Sequence, residues 1–236
     1  MGNKFTFICL LLSLIFIGHV SANEVFNARI YVKGDRDTIV FYYDSEKTIQ
    51  GDDVILSHTY KTPEGEVFAR ETLILHEGEF SVHETSFPIL DEYSKQVRDE
   101  EGMTTSFKSN NKEKSKAIKV PENLIFGPTQ QDFITENLES LKEGEKLTFS
   151  LPVPQFLTTV KFTLKKIENK TLDKPGMITL QMKSNNPFLW FIAKPIHFLI
   201  NEENSLIQEI HGPTILKIKV NEKWEFFDSE IYFKYL

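Results

Sequence analysis

The chain has 236 residues, 34 acidic against 27 basic side chains, and a formal net charge of −7. An acidic chain without a basic stripe excludes nucleic acid as the expected partner. Its 20 phenylalanines, 7 tyrosines and 2 tryptophans can fill the core of one large domain, while its single cysteine excludes an internal disulfide.

In chain order, Lys4 opens a short positive region, Phe5 to Ile17 is apolar apart from Thr6 and Ser13, and Val20-Ser21-Ala22 ends in small residues. That pattern predicts a signal peptide over 1–22, cleaved after Ala22. The apolar span is shorter than the roughly 20 residues a membrane helix needs. Cleavage removes Cys9 and Lys4, leaving a cysteine-free, still more acidic chain, 23–236, read as a single β-rich domain. Export without disulfides points to the periplasm, or secretion, of a bacterial host. In that setting the sequon Asn169-Lys170-Thr171 carries no meaning.

Strand-like segments follow. Val25 to Val32 alternates, and Thr38 to Tyr43 is a short β-rich run. Ile55 to Lys61 and Val67 to Leu75 flank the turn Thr62-Pro63-Glu64-Gly65, and Glu77-Gly78-Glu79 leads into Phe80 to Phe87. These three make a meander. The polar stretch Arg98 to Lys119 reads as a solvated hairpin with a turn at Glu100-Glu101-Gly102, strands at Thr104–Lys108 and Lys116–Val120, and a tip at Ser109–Lys114.

The helix signal lies in Thr129 to Lys142. Pro128 ends an extended run, and Thr129 with Asp132 matches a capping box. Phe133, Ile134, Leu138 and Leu141 share one side, Gln131, Glu136, Glu139 and Lys142 the other, and Gly144 supplies the stop. Beyond it come strands at Lys146–Leu151 and Thr158–Ile167, separated by Pro152-Val153-Pro154, which demands an edge or a crossover. Met177–Lys183, Ile196–Asn201, Leu206–His211, Ile215–Val220 and Glu230–Tyr235 are further strands, and Asn186–Ala193 is an apolar run of undecided type. Many short strands around one helix predict a mainly β (α+β) fold. Its form is one strongly curved antiparallel sheet, or open β-barrel, with an amphipathic helix on the concave side.

The sequence indicates no catalytic, metal or cofactor constellation. It has no Gly-x-Ser-x-Gly elbow, its 11 glycines are scattered, and the pairs Glu100-Glu101 and Glu202-Glu203 sit in polar turns. His58, His76 and His83, near Glu71 and Glu84, lack the spacing of ligands on one face and read as surface or packing residues, and His211 as a strand end. Binding is therefore expected ahead of catalysis. The aromatic surplus suggests an apolar cavity lined by Phe126, Phe133, Leu138, Phe149, Phe162, Phe188, Trp190 and Phe198.

The motifs Asp132-Phe133, Leu141-Lys142-Glu143-Gly144-Glu145 and Phe149-Ser150-Leu151-Pro152-Val153-Pro154, with Phe162 beyond, resemble a family of exported bacterial proteins of unassigned function. Ile196–Gly212 and the terminal Ile231–Tyr235 strand look similar to that family too. In architecture alone, the chain is similar to the periplasmic lipoprotein carriers LolA and LolB, which implies an open barrel with a helical lid. The expected role is binding of a lipid, acyl chain or other amphiphile in the concavity. The alternative is an envelope interaction or assembly module, working through the edge near Pro152–Pro154 or the tip Ser109–Lys114, with a protein partner and no small ligand.

Overall fold

A repeated local event builds most of the molecule: an extended run reverses at a tight turn and pairs with the next run. At Glu77-Gly78, Asn110-Asn111 and Asn221-Glu222 both turn residues have positive φ, which matches the right-handed twist of the flanking strands. In the computed structural model, residues 21–186 and 194–235 are described. The strands are β1 (Ser21–Val32), β2 (Ile39–Gln50), β3 (Asp53–Lys61), β4 (Val67–His76), β5 (Glu79–Phe87), β6 (Glu92–Asp99), β7 (Gly102–Ser109) and β8 (Lys112–Ile118). Helices α1 (Gln130–Glu136) and α2 (Leu138–Lys142) follow, then β9 (Lys146–Val153), β10 (Thr158–Lys166), β11 (Met177–Ser184), β12 (Ile196–Asn201), β13 (Ile207–Val220) and β14 (Lys223–Tyr235).

The 14 strands among the described residues form one antiparallel sheet in the order β8-β7-β6-β5-β4-β3-β2-β1-β14-β13-β12-β11-β10-β9. The first and last strands meet at its middle, with Ile30 opposite Ile231, and the middle of the chain supplies both edges. The linker of residues 119–145 joins one edge to the other, so it has to run across the sheet. Register shifts near Phe26, Tyr60, Ile74, Leu199 and Pro213 bend the sheet. It curls until the turn Pro154–Phe156, just past edge strand β9, touches β6 and β7. The result is an open barrel, the curved sheet the sequence predicts.

The linker ties the two halves together. Phe126 packs with Leu73, Phe80 and Met103 on the β4–β7 side. Ile134, Leu138 and Leu141 bury against Phe149, Leu164, Leu180 and Phe198 on the other side, as their helical spacing requires, with Phe133 packed beside them. A third cluster, around Phe26, Ile30, Phe41, Phe68 and Phe227, sits at the joint between β1, β2 and β14.

Several local expectations need correction. Thr129 does not cap α1: its hydroxyl turns back to the backbone N–H and carbonyl of Phe126, both at 3.2 Å. The helix also breaks at Asn137, whose side-chain nitrogen donates to the Phe133 carbonyl at 2.8 Å. Gly144 does end it, in the left-handed region at φ 95°. Leu206–His211 and Ile215–Val220 are one strand, β13, that passes through a bulge at Pro213, so His211 lies within a strand and not at its end. The run Asn186–Ala193 falls, apart from Asn186, outside the described residues.

Candidate functional site

The interior of the barrel has two walls of different chemistry. Alternation along β3 to β7 turns His58, Glu71, His83, Thr85, Ser94, Gln96 and Thr105 inward, all buried. The facing strands β9 to β12 present Phe149, Leu164, Leu180, Met182, Phe198 and Ile200, also buried. Between the walls lies a cavity of about 380 Å³. Its polar side includes Tyr60, Glu71, His83, Thr85, Tyr93 and Ser94; its apolar side includes Leu151, Phe162, Met182, Ile196 and Phe198. A smaller void of about 110 Å³ adjoins the same Gly127 and Gln130, beneath Phe26, Tyr43, His58 and Tyr235.

Glu71 is the centre of the polar wall. It lies directly opposite His58 in the β3–β4 register, and its Oε1 accepts from His83 Nε2 at 2.8 Å, while His58 Nδ1 is 3.7 Å from Oε2. His83 Nδ1 continues the chain to the Gln96 amide at 2.5 Å. Burial raises the Glu71 pKa, but the two histidines outweigh it and hold the carboxyl down at about 2. The side chain is therefore an ionised carboxylate inside a largely apolar lumen. Gly127 at the start of the helical segment sits against it: a methyl group there would lie 2.8 Å from both carboxylate oxygens. Only a bare backbone fits that close.

His58 and His83, read from the sequence as surface or packing residues, thus converge on one carboxylate, while His76 is exposed and bonds Asp53 at 2.7 Å. The signal lay in strand parity, which hides behind the bulges at Tyr60/Lys61 and Ile74/Leu75. Among the described residues no group of three or more histidine, cysteine or acidic side chains could hold a metal ion.

Of the expected cavity residues, Phe162 and Phe198 line the 380 Å³ space. Phe133, Leu138 and Phe149 pack with Phe198 in the core beside it. The Phe126 ring lies 4.6 Å from the His83 ring, tilted to it, and packs with Leu73, Phe80 and Met103. Phe188 and Trp190 lie outside the described residues.

Ile210 and Ile231 face the lumen, so their neighbours Glu209, His211 and Glu230 face the opposite side of the sheet. There a groove of about 470 Å³ runs under the β10–β11 connection. Its charges are largely paired with one another: Arg36 with Glu230 at 2.7 Å, Lys194 with Asp228 at 2.6 Å, and Glu209 with both His211 and Lys174. This network anchors a covering loop.

No protein-family model and no curated protein matches the sequence. Among solved structures, the chain is similar to a β-barrel-like protein of a domain of unknown function, DUF1849, from Brucella abortus, with 7% identity and a TM-score of 0.41. The match covers 91% of this chain and 98% of that one. Among the described residues no helix is long and apolar enough to cross a membrane.

Proposed function

We propose that the protein is exported, with residues 1–22 removed as a signal peptide, and holds one amphiphilic ligand with an alkyl or acyl chain in the lumen of its barrel. The observation that carries this reading is the 380 Å³ cavity with one apolar and one polar wall. Its volume falls in the range of roughly 300–1,000 Å³ typical of small-molecule sites. Phe162, Met182, Ile196 and Phe198 offer an alkyl chain a surface without hydrogen-bonding groups. Gly127 and Gln130, at the start of the helical segment, close the space from within the same chain, as expected of a carrier similar to LolA and LolB.

The competing reading, a docking module without a small ligand, would use the edge near Pro152–Pro154, where the turn Pro154–Phe156 already lies against β6 and β7, or the tip Ser109–Lys114, which leads into β8. That strand, Lys-Glu-Lys-Ser-Lys-Ala-Ile, is exposed and charged along its length, a composition that discourages strand addition. Mass spectrometry of organic extracts from protein purified under non-denaturing conditions from an exporting host tests the proposal. The expected result is one co-purifying amphiphile at near-unit stoichiometry. Extracts matching those of an unrelated exported protein would overturn it.

A further inference from the structure

The polar wall narrows the class of ligand, on the premise that the lumen is a binding site. Glu71 is 6% exposed and has one oxygen, Oε1, bonded to His83. The other, Oε2, has as its nearest histidine nitrogen His58 Nδ1 at 3.7 Å, beyond hydrogen-bond range. Gly127, facing both oxygens without a side chain, lines the cavity beside them. A buried carboxylate with an open oxygen beside an open space is a receptor for a donor.

This receptor is an ionised carboxylate: the flanking histidines hold its pKa down at about 2, and its hydrogen bond, from His83 Nε2, engages Oε1 alone. Among the described residues the other charged side chain lining the lumen, Lys194, is bonded to Asp228 at 2.6 Å.

We propose that the ligand of the lumen is a cationic amphiphile whose ammonium or amine head seats against Glu71 Oε2 and whose alkyl chain lies along Phe162, Met182 and Phe198. Leaving one oxygen of a buried carboxylate without a hydrogen bond is costly, and an entering cation with N–H donors offsets that cost. A carboxylate-headed chain is repelled from the same place. The hydroxyls of Tyr60, Thr85 and Ser94, which make no hydrogen bond among the described residues, surround the head with further polar groups.

A head-group series on one chain length tests this. Dodecylamine, dodecanol and dodecanoate, each below its micellar concentration, are titrated by displacement of the neutral fluorophore 1-N-phenylnaphthylamine. The expected order is amine, alcohol, carboxylate, with the amine at least about tenfold tighter than the alcohol, the size of one charge-assisted hydrogen bond. In Glu71→Gln the amine and the alcohol should fall within about twofold of each other. The wild-type series stands without that variant, should it fail to fold. Equal affinities, or the carboxylate binding best, would overturn the assignment of the head while leaving the lumen site intact. If no member binds and the fluorophore does not either, the lumen-binding reading itself fails.

Discussion

The two halves of the sheet share a construction and differ in what they bury. Each carries the same corner: a strand, a proline-led 3-10 turn, one residue in the left-handed region, and the next strand. It occurs at Phe87–Glu92 with Asp91 at φ 50° and at Val153–Thr158 with Leu157 at φ 50°. Yet the interior of β3 to β7 holds His58, Glu71, His83, Ser94 and Gln96 where β9 to β12 hold Phe149, Leu164, Leu180 and Phe198. Hydrophobic burial stabilises the second wall throughout, whereas the first mixes Leu73, Phe87 and Met103 with polar groups, of which Glu71, His83 and Gln96 are joined to one another. A sheet uses such a wall where something besides packing is required of it. Packing stabilises both halves, while the buried groups able to select by charge or hydrogen bonding lie in the earlier one.

Substitutions on the two walls should differ in what they change. The largest effect is expected on the apolar wall: Phe198→Ala should lower unfolding free energy by about 3–5 kcal/mol in urea titration, with little change in slope. Next comes the acid response of the polar wall. The folded-state pKa of Glu71, about 2, lies below its ordinary 4.5, so the stability it contributes is fully present above pH 4.5 and drains away as pH falls toward 2. The loss should be about 3 kcal/mol, and Glu71→Gln should flatten that limb of the stability–pH curve. Glu84 and Glu230, also lowered by their partners, leave a residual slope.

Gly127→Ala forces a methyl group onto the Glu71 carboxylate, which two histidines flank, and should cost about 1–3 kcal/mol in thermal unfolding. At the small end, Phe226→Ser should change stability by no more than about 0.5 kcal/mol, because that ring is 63% exposed. A much larger loss there would mean that the β13–β14 hairpin is more than a surface feature.

What could be read from the sequence follows the same division. Ile134, Leu138 and Leu141 declared the buried side of the helical segment, and Ile196–Asn201 coincides with β12, because apolar periodicity reports an apolar wall. The polar wall gives no such pattern. In β6, Glu-Tyr-Ser-Lys-Gln-Val-Arg-Asp, the inward residues are Ser94 and Gln96, so it resembles a solvated strand and was legible only through the Glu100–Gly102 turn beyond it. The Glu71 cluster is hidden for a second reason: it depends on registers shifted by bulges, which composition does not encode. Gly212-Pro213 looked like a boundary because proline interrupts pairing, and the strand absorbs it in a bulge.

If the lumen admits one amphiphile, a variant that fills the lumen must abolish its binding. Ser94 lines the 380 Å³ cavity, so Ser94→Phe places a ring in that space while leaving the outer surface unchanged. Titrated with 1-N-phenylnaphthylamine, the wild-type protein should show saturable fluorescence enhancement at one equivalent, and Ser94→Phe, with an unchanged far-ultraviolet dichroism spectrum, should show none. Enhancement of equal size in both, or in neither, would mean that the lumen is not a binding site.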